Sequence, residues 1–162
     1  MFDDFFDSNE NNMPILRSGK NTNNLDKPYL IFYDFETTGL NPFHDKIIEI
    51  AAVEYQINIK NVEEMVSFET LVDPQVKLKQ KIKEITNIYD SDLKNKPTIE
   101  KALEGFLLFI YNNKPENADI YLVAHNNDGF DSLFLEKYLM KFRNNKIVSK
   151  FTNKGRPKWK YI

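Results

Sequence analysis

The sequence has no cysteine among its 162 residues, which excludes disulfide scaffolds, thiolate metal sites and cysteine nucleophiles together. No apolar run approaches the roughly 20 residues of a membrane span, and the first residues carry no signal-peptide pattern. The expectation is a soluble intracellular protein, cytoplasmic or nuclear. Arginine is scarce, at Arg17, Arg143 and Arg156 alone, against many lysines. With Asn and Ile plentiful, that bias fits an AT-rich genome. Residues 1–12 lack any base, although they hold Asp3, Asp4, Asp7 and Glu10. Residues 132–162 hold a single acid, Glu136, among nine bases.

What is present suits one packed domain. The hydrophobic fraction is 41%, with 13 Phe and 8 Tyr, and the length is enough to bury a core. The net charge of −2 conceals the acidic start and the basic end. A basic stripe is what a phosphate backbone requires, and it is equally what a solvated lysine-rich face looks like. Residues 1–28 are polar and Asn-rich and read as a disordered tail; the domain spans 29–162. "YLIFYDF" from Tyr29, "KIIEIAAVEYQINI" (Lys46–Ile59) and "MVSFETLV" (Met65–Val72) read as three strands of a meander. Leu78, Ile82 and Ile85 then take helical spacing up to Asn87, a residue that tolerates the left-handed conformation. A second helix carries Ile99, Ala102, Leu103, Phe106 and Ile110, opened by Thr98 as N-cap. "DIYLVAH" (Asp119–His125) is a fourth strand, and Leu135, Tyr138, Leu139 and Phe142 face inward from a third helix. The class is α/β with a mixed sheet.

Asp34 and Glu36 stand two apart where the first strand runs into a Thr-Thr-Gly turn. Residues i and i+2 of a strand share a face, so the two carboxylates sit side by side. Like charges that close keep one group protonated unless a cation neutralises them. The pair therefore suggests a metal site, or else two solvent-facing acids. A second group follows the fourth strand in "VAHNNDGFDSLFLEKYL", where Asp131 opens a helix as an N-cap or as a ligand.

Together the two stretches resemble the DnaQ-like 3′–5′ exonucleases, the DEDD family. "DFETTGLNPFHDKIIEIAAV" is similar to the first motif of that family. "AHNNDGFDSLFL" resembles the second, with the spacing of the three-prime repair exonucleases. "ITNI" (Ile85–Ile88) matches the intervening Ile-Thr-Gly element, with Asn87 in the place of glycine. The resemblance runs from about Tyr29 to Phe142 and implies a ribonuclease-H-like fold. It implies two Mg²⁺ or Mn²⁺ ions held by Asp34, Glu36 and Asp131, which are also the catalytic residues. Substrate contacts fall on Thr37, Gly39, Leu40, Ile85, His125 and Asn126. Leu40 and Ile85 sandwich the terminal base, with core packing as the alternative for both. His125 is alternatively a hydrogen-bonded histidine at a strand end, and His44 belongs to a surface loop.

The partner implied is nucleic acid with a free 3′ end, DNA before RNA, in DNA repair, proofreading or RNA processing, with no membrane. The third motif, a His and an Asp in a C-terminal helix after a fifth strand, is not found before Ile162. The domain is therefore expected to be incomplete at its C-terminus, with the edge of strand Ile120–Ala124 uncovered and little trimming activity. Two other functions stand beside the enzyme. One is an inactive exonuclease fold that binds nucleic acid or protein; the other is a metal-free phosphate-binding module.

Overall fold

Alternation along β2 (Tyr29–Thr37) sets the architecture. Ile31, Tyr33, Phe35 and Thr37 turn into the core, while Phe32 and Asp34 face out and Glu36 is half-buried. The computed structural model describes residues 15–18, 28–57, 62–115, 118–153, 156–157 and 159–162. β3 (Ile47–Ile57) pairs antiparallel with β2, and β4 (Val62–Leu71) pairs antiparallel with β3. These are the three strands of the expected meander. β5 (Ile120–Val123) lies parallel to β2 on its other side, in register Tyr29↔Ile120 to Phe32↔Val123. A parallel neighbour needs a crossover, and the helical segment between β4 and β5 supplies it.

That segment holds α1 (Gln80–Thr86), α2 (Asp90–Leu93) and α3 (Ile99–Tyr111). α1 stops where Asn87 takes the left-handed conformation, φ 56°, its N–H bonded to Lys83 O. Asn accepts that backbone at little cost, which is why it can stand where the family has glycine. α3 begins at Thr98, whose side chain accepts from Lys101 N, as its sequence predicts. Its inner face buries Ala102, Leu103, Phe106, Leu107, Phe109 and Ile110. Phe106 meets Tyr33 and Phe35 of β2 and Phe68 of β4 with ring centroids 5.9–6.1 Å apart. Truncating a fully buried Phe of this kind costs about 3–5 kcal/mol. α4 (Asp131–Lys141) adds Phe134, Leu135, Tyr138 and Leu139 to the same core. A smaller cluster of Ile48, Leu78, Ile88 and Leu93 seats α1 and α2 against the start of β3.

Three features depart from expectation. Within the stretch expected as a tail, β1 (Ile15–Ser18) pairs antiparallel with β4, because an edge strand offers unpaired backbone groups to any extended segment. The rest of residues 1–27 lies outside the described residues. The edge of β5 is covered where the sequence leaves it open: β8 (Lys160–Tyr161) runs parallel to it, and Ile162 N donates to Leu122 O. Between α4 and β8 stand α5 (Lys146–Phe151) and the small hairpin of β6 (Thr152–Asn153) and β7 (Arg156–Pro157), none of them anticipated. Asn145 caps α5 by accepting from Ile147 N and Val148 N, and its amide reaches Glu100 and Glu104 on α3. The sheet order is β1-β4-β3-β2-β5-β8.

Candidate active site

The site forms where β2 outruns β5. Their pairing ends at Phe32↔Val123, and the next stretch of β2 is met by a side chain. Phe35 N–H donates to Asp131 Oδ1 at 3.2 Å, so the carboxylate bonds the backbone between Asp34 and Glu36. Asp131 is the first residue of α4, and Phe130 occupies the cap position without a side-chain cap bond. The N-cap alternative for Asp131 is thereby set aside. Its residue is 1% exposed.

Electrostatics couple the three acids through Asp34. Burial, then the Asp34 charge, push the Asp131 carboxyl up to about 6, although the N–H groups of Phe35 and Asp131 itself oppose the rise. Burial, then Asp34 again, raise Glu36. Excess negative charge of this kind is what a hard divalent cation relieves, and the donors are all carboxylate oxygen. The donor set therefore fits Mg²⁺ or Mn²⁺. Among the described residues, no three of His, Asp and Glu are gathered as a ready metal cage. The acids are neighbours by charge, coupled in pairs.

A fourth acid joins them that sequence reasoning passed over. Glu49 of β3 lies directly opposite Glu36, beside the register shift at Glu36/Thr37. Burial, then Glu69, Glu36 and Asp34, raise its pKa. The signal was a lone Glu inside the apolar run "KIIEI". Asn127 was missed as well. It is 5% exposed and accepts from Tyr33 Oη at 2.5 Å while its amide donates to Leu122 O and Ile162 O. Ser132 Oγ donates to the Asn127 carbonyl at 2.7 Å. This side chain ties β2, β5 and the end of the described chain together. Nothing in "HNND" distinguishes it from Asn126.

The loop after β2 carries the next group of expected residues. Thr37 is buried and donates to Gly39 O at 2.6 Å, so its hydroxyl is occupied within the turn. A Cβ on Gly39 would stand 2.5 Å from Asp45 Oδ2, so any other residue there would push the Asp45 carboxylate off its bonds to Thr38 and Asn41. Leu40 is 83% exposed and Ile85, on the last turn of α1, is 66% exposed. The core-packing alternative for these two is overturned. His44 is exposed in the loop, as its sequence context predicts. His125 and Asn126 are exposed after β5, with Asn126 at φ 54° and the His125 charge favouring the ionised form of Asp131.

The profile of the exonuclease family (RNase_T) matches residues 31–161. The DNA polymerase III PolC-type of Clostridium perfringens is 40% identical over 131 residues, 81% of this chain and 8% of that polymerase. The PolC-type polymerase of Halalkalibacterium halodurans is 42% identical over 111 residues, 68% of this chain and 7% of its own length. The chain thus spans under a tenth of these relatives. Among solved structures, product-bound exonuclease I superposes with a TM-score of 0.58 at 19% identity, covering 83% of this chain and 30% of that one. Cell-death related nuclease 4 gives 0.56 at 20% identity over 67% of this chain and 39% of its own. Both likenesses show the ribonuclease-H-like fold.

Proposed function

Because this chain belongs to the exonuclease family, we propose that it hydrolyses the terminal phosphodiester bond at the 3′ end of single-stranded DNA, or secondarily RNA, with Mg²⁺ or Mn²⁺. The observation that carries the proposal is the charge of Asp34 acting on both Glu36 and Asp131 while Asp131 bonds the backbone between the other two. Asp34, Glu36 and Asp131 would hold the ions. Bound there, paired divalent cations supply an activated water and charge stabilisation for the leaving oxygen.

The rest of the work falls to the chain itself. Leu40 and Ile85, exposed and apolar, suit a grip on the terminal base that is blind to sequence. Gly39 would let the backbone approach the terminal nucleotide, and Thr37, bonded to its carbonyl, fixes that turn. Asn126 and His125, exposed after β5, would contact the strand as well. Neither His125 nor His44 is assigned as the base that takes a proton from water.

Exonuclease I, solved with an oligonucleotide bound, is consistent with a nucleic-acid strand as the partner. A second reading is a strand-binding module without hydrolysis, which would use the same exposed Leu40 and Ile85 and need no ion. One experiment separates them. An oligonucleotide labelled at its 5′ end should shorten stepwise, if slowly, from the 3′ end with Mn²⁺, and Asp34→Asn should abolish the ladder. Binding with no shortening in wild type supports the second reading. Shortening that survives Asp34→Asn refutes the assigned site.

A further inference from the structure

The loop between β2 and β3 holds an aromatic side chain that neither the core nor the proposed chemistry uses. Phe43 is 84% exposed, the highest value among the exposed large hydrophobic residues. Exposing a phenyl ring forgoes the stabilisation of burial, and a loose loop would fold it back onto the surface. This loop is not loose. Asp45 accepts from Thr38 Oγ1 at 3.2 Å and from Asn41 N at 2.9 Å. Asn41 in turn accepts from Phe43 N at its side chain and from His44 N and Asp45 N at its carbonyl. Thr38 N bonds Lys46 O, and Lys46 N bonds Thr38 Oγ1, closing the base of the loop. From α4, Lys137 Nζ donates to Asp45 O at 2.7 Å. The ring is held in water by a braced turn, three residues beyond Leu40.

Two lysines stand at the base of this loop. Burial, then the Lys141 charge, depress the pKa of Lys137, with Asp45 opposing and Lys46 adding to the fall. Lys46 closes the loop just before β3, Lys137 reaches it from α4, and Lys141 follows one turn along that helix. An exposed aromatic side chain on a braced turn, with lysines at its base, fits the unpaired bases and phosphates of a single strand.

We propose that Phe43 is a stacking platform for an unpaired base next to the 3′-terminal nucleotide, with Lys137 and Lys141 beside it as phosphate counter-charges. This deepens the proposed function and rests on it. The terminal base belongs to Leu40 and Ile85; Phe43 would order the strand one step further back. It would set how strongly the protein holds an oligonucleotide and contribute nothing to the bond cleaved.

The test is oligothymidylate binding in EDTA, by fluorescence anisotropy, for wild type, Phe43→Ala and Phe43→Tyr. Phe43→Ala should weaken binding by about tenfold, the cost of one base stack, and Phe43→Tyr should stay within about twofold of wild type. Phe43→Trp adds a direct readout, because the single native tryptophan, Trp159, is buried. Its emission should be quenched by oligothymidylate. Equal affinities for wild type and Phe43→Ala, with no quenching, overturn the inference while leaving the exonuclease reading intact. If Phe43→Ala instead converts a sedimenting oligomer to monomer with affinity unchanged, the ring seats on protein and the inference fails. A wild type that binds no single strand overturns both.

Discussion

Asp131 is a carboxylate almost without solvent, placed beside a second negative charge. Such a group lowers stability until a cation or a proton compensates it. Asp34→Asn removes the neighbouring charge, so in EDTA the variant should melt no lower than wild type. Added Mn²⁺ should raise the melting temperature of wild type only, since a ligand that binds the folded state alone stabilises it. Equal shifts in both proteins would mean that Asp34 holds no metal. Asn127 makes the contrasting case, a buried polar side chain whose partners are all supplied. Asn127→Ala would strand the Tyr33 hydroxyl and remove one of the two donors to the Leu122 carbonyl, at about 1–3 kcal/mol by urea denaturation. A loss under about 0.5 kcal/mol would show that water replaces it without penalty.

At the scale of elements, the segment that presents Ile85 is held by one acid. Asp90, first residue of α2, accepts from Leu78 N at 2.8 Å and from Lys83 Nζ at 2.6 Å. The Leu78 N–H, then Lys83, hold its carboxyl below the ordinary carboxylate range. A depressed carboxylate pKa means the folded state prefers the ionised form. The contribution is complete above about pH 4 and fades as pH falls through the lowered value. Asp90→Asn should therefore be less stable than wild type near neutral pH, and the gap should close in acid. A gap that widens toward low pH would reverse the assignment. The turn from Thr38 to Lys46 is braced in a similar way by Asp45, which explains how its apolar residues can stay exposed.

Across the whole molecule, a buried ion pair joins the end of the helical crossover to the sheet. Lys114 Nζ bonds Glu54 Oε2, with side chains 2% and 6% exposed, and lies 5.1 Å from the ring centre of Tyr29. Lys114→Ala would leave Glu54 charged and buried, which costs about 3–5 kcal/mol. The double variant Glu54→Leu, Lys114→Met should recover most of that loss in the same denaturation assay. Recovery of none would make the pair a net source of stability. Strand binding is the other property of this scale. Lys137→Glu with Lys141→Glu should weaken oligonucleotide binding and flatten its dependence on salt, because fewer counterions are released. An unchanged salt slope would assign those lysines to solvation.

The sequence alone determined the meander, the helix from Thr98 and the pair of acids, because each rests on short-range rules. Alternation places Asp34 and Glu36 on one face, a cap starts α3, and Asn87 ends α1. Motif order carried the family. What local rules cannot reach is contact between distant segments. Whether Asp131 capped a helix or met β2 was decided by the early end of the β2–β5 pairing, which leaves Phe35 N–H to a side chain. Glu49 came to face Glu36 through cross-strand register, and Asn127 found its partners in three segments that converge on it. β1 and β8 are too short to show a period, and they exist as strands because the edges of β4 and β5 offer unpaired backbone groups. The exposure of Leu40, Phe43 and Ile85 was likewise a tertiary outcome, since an apolar side chain carries no local sign of which way it will face.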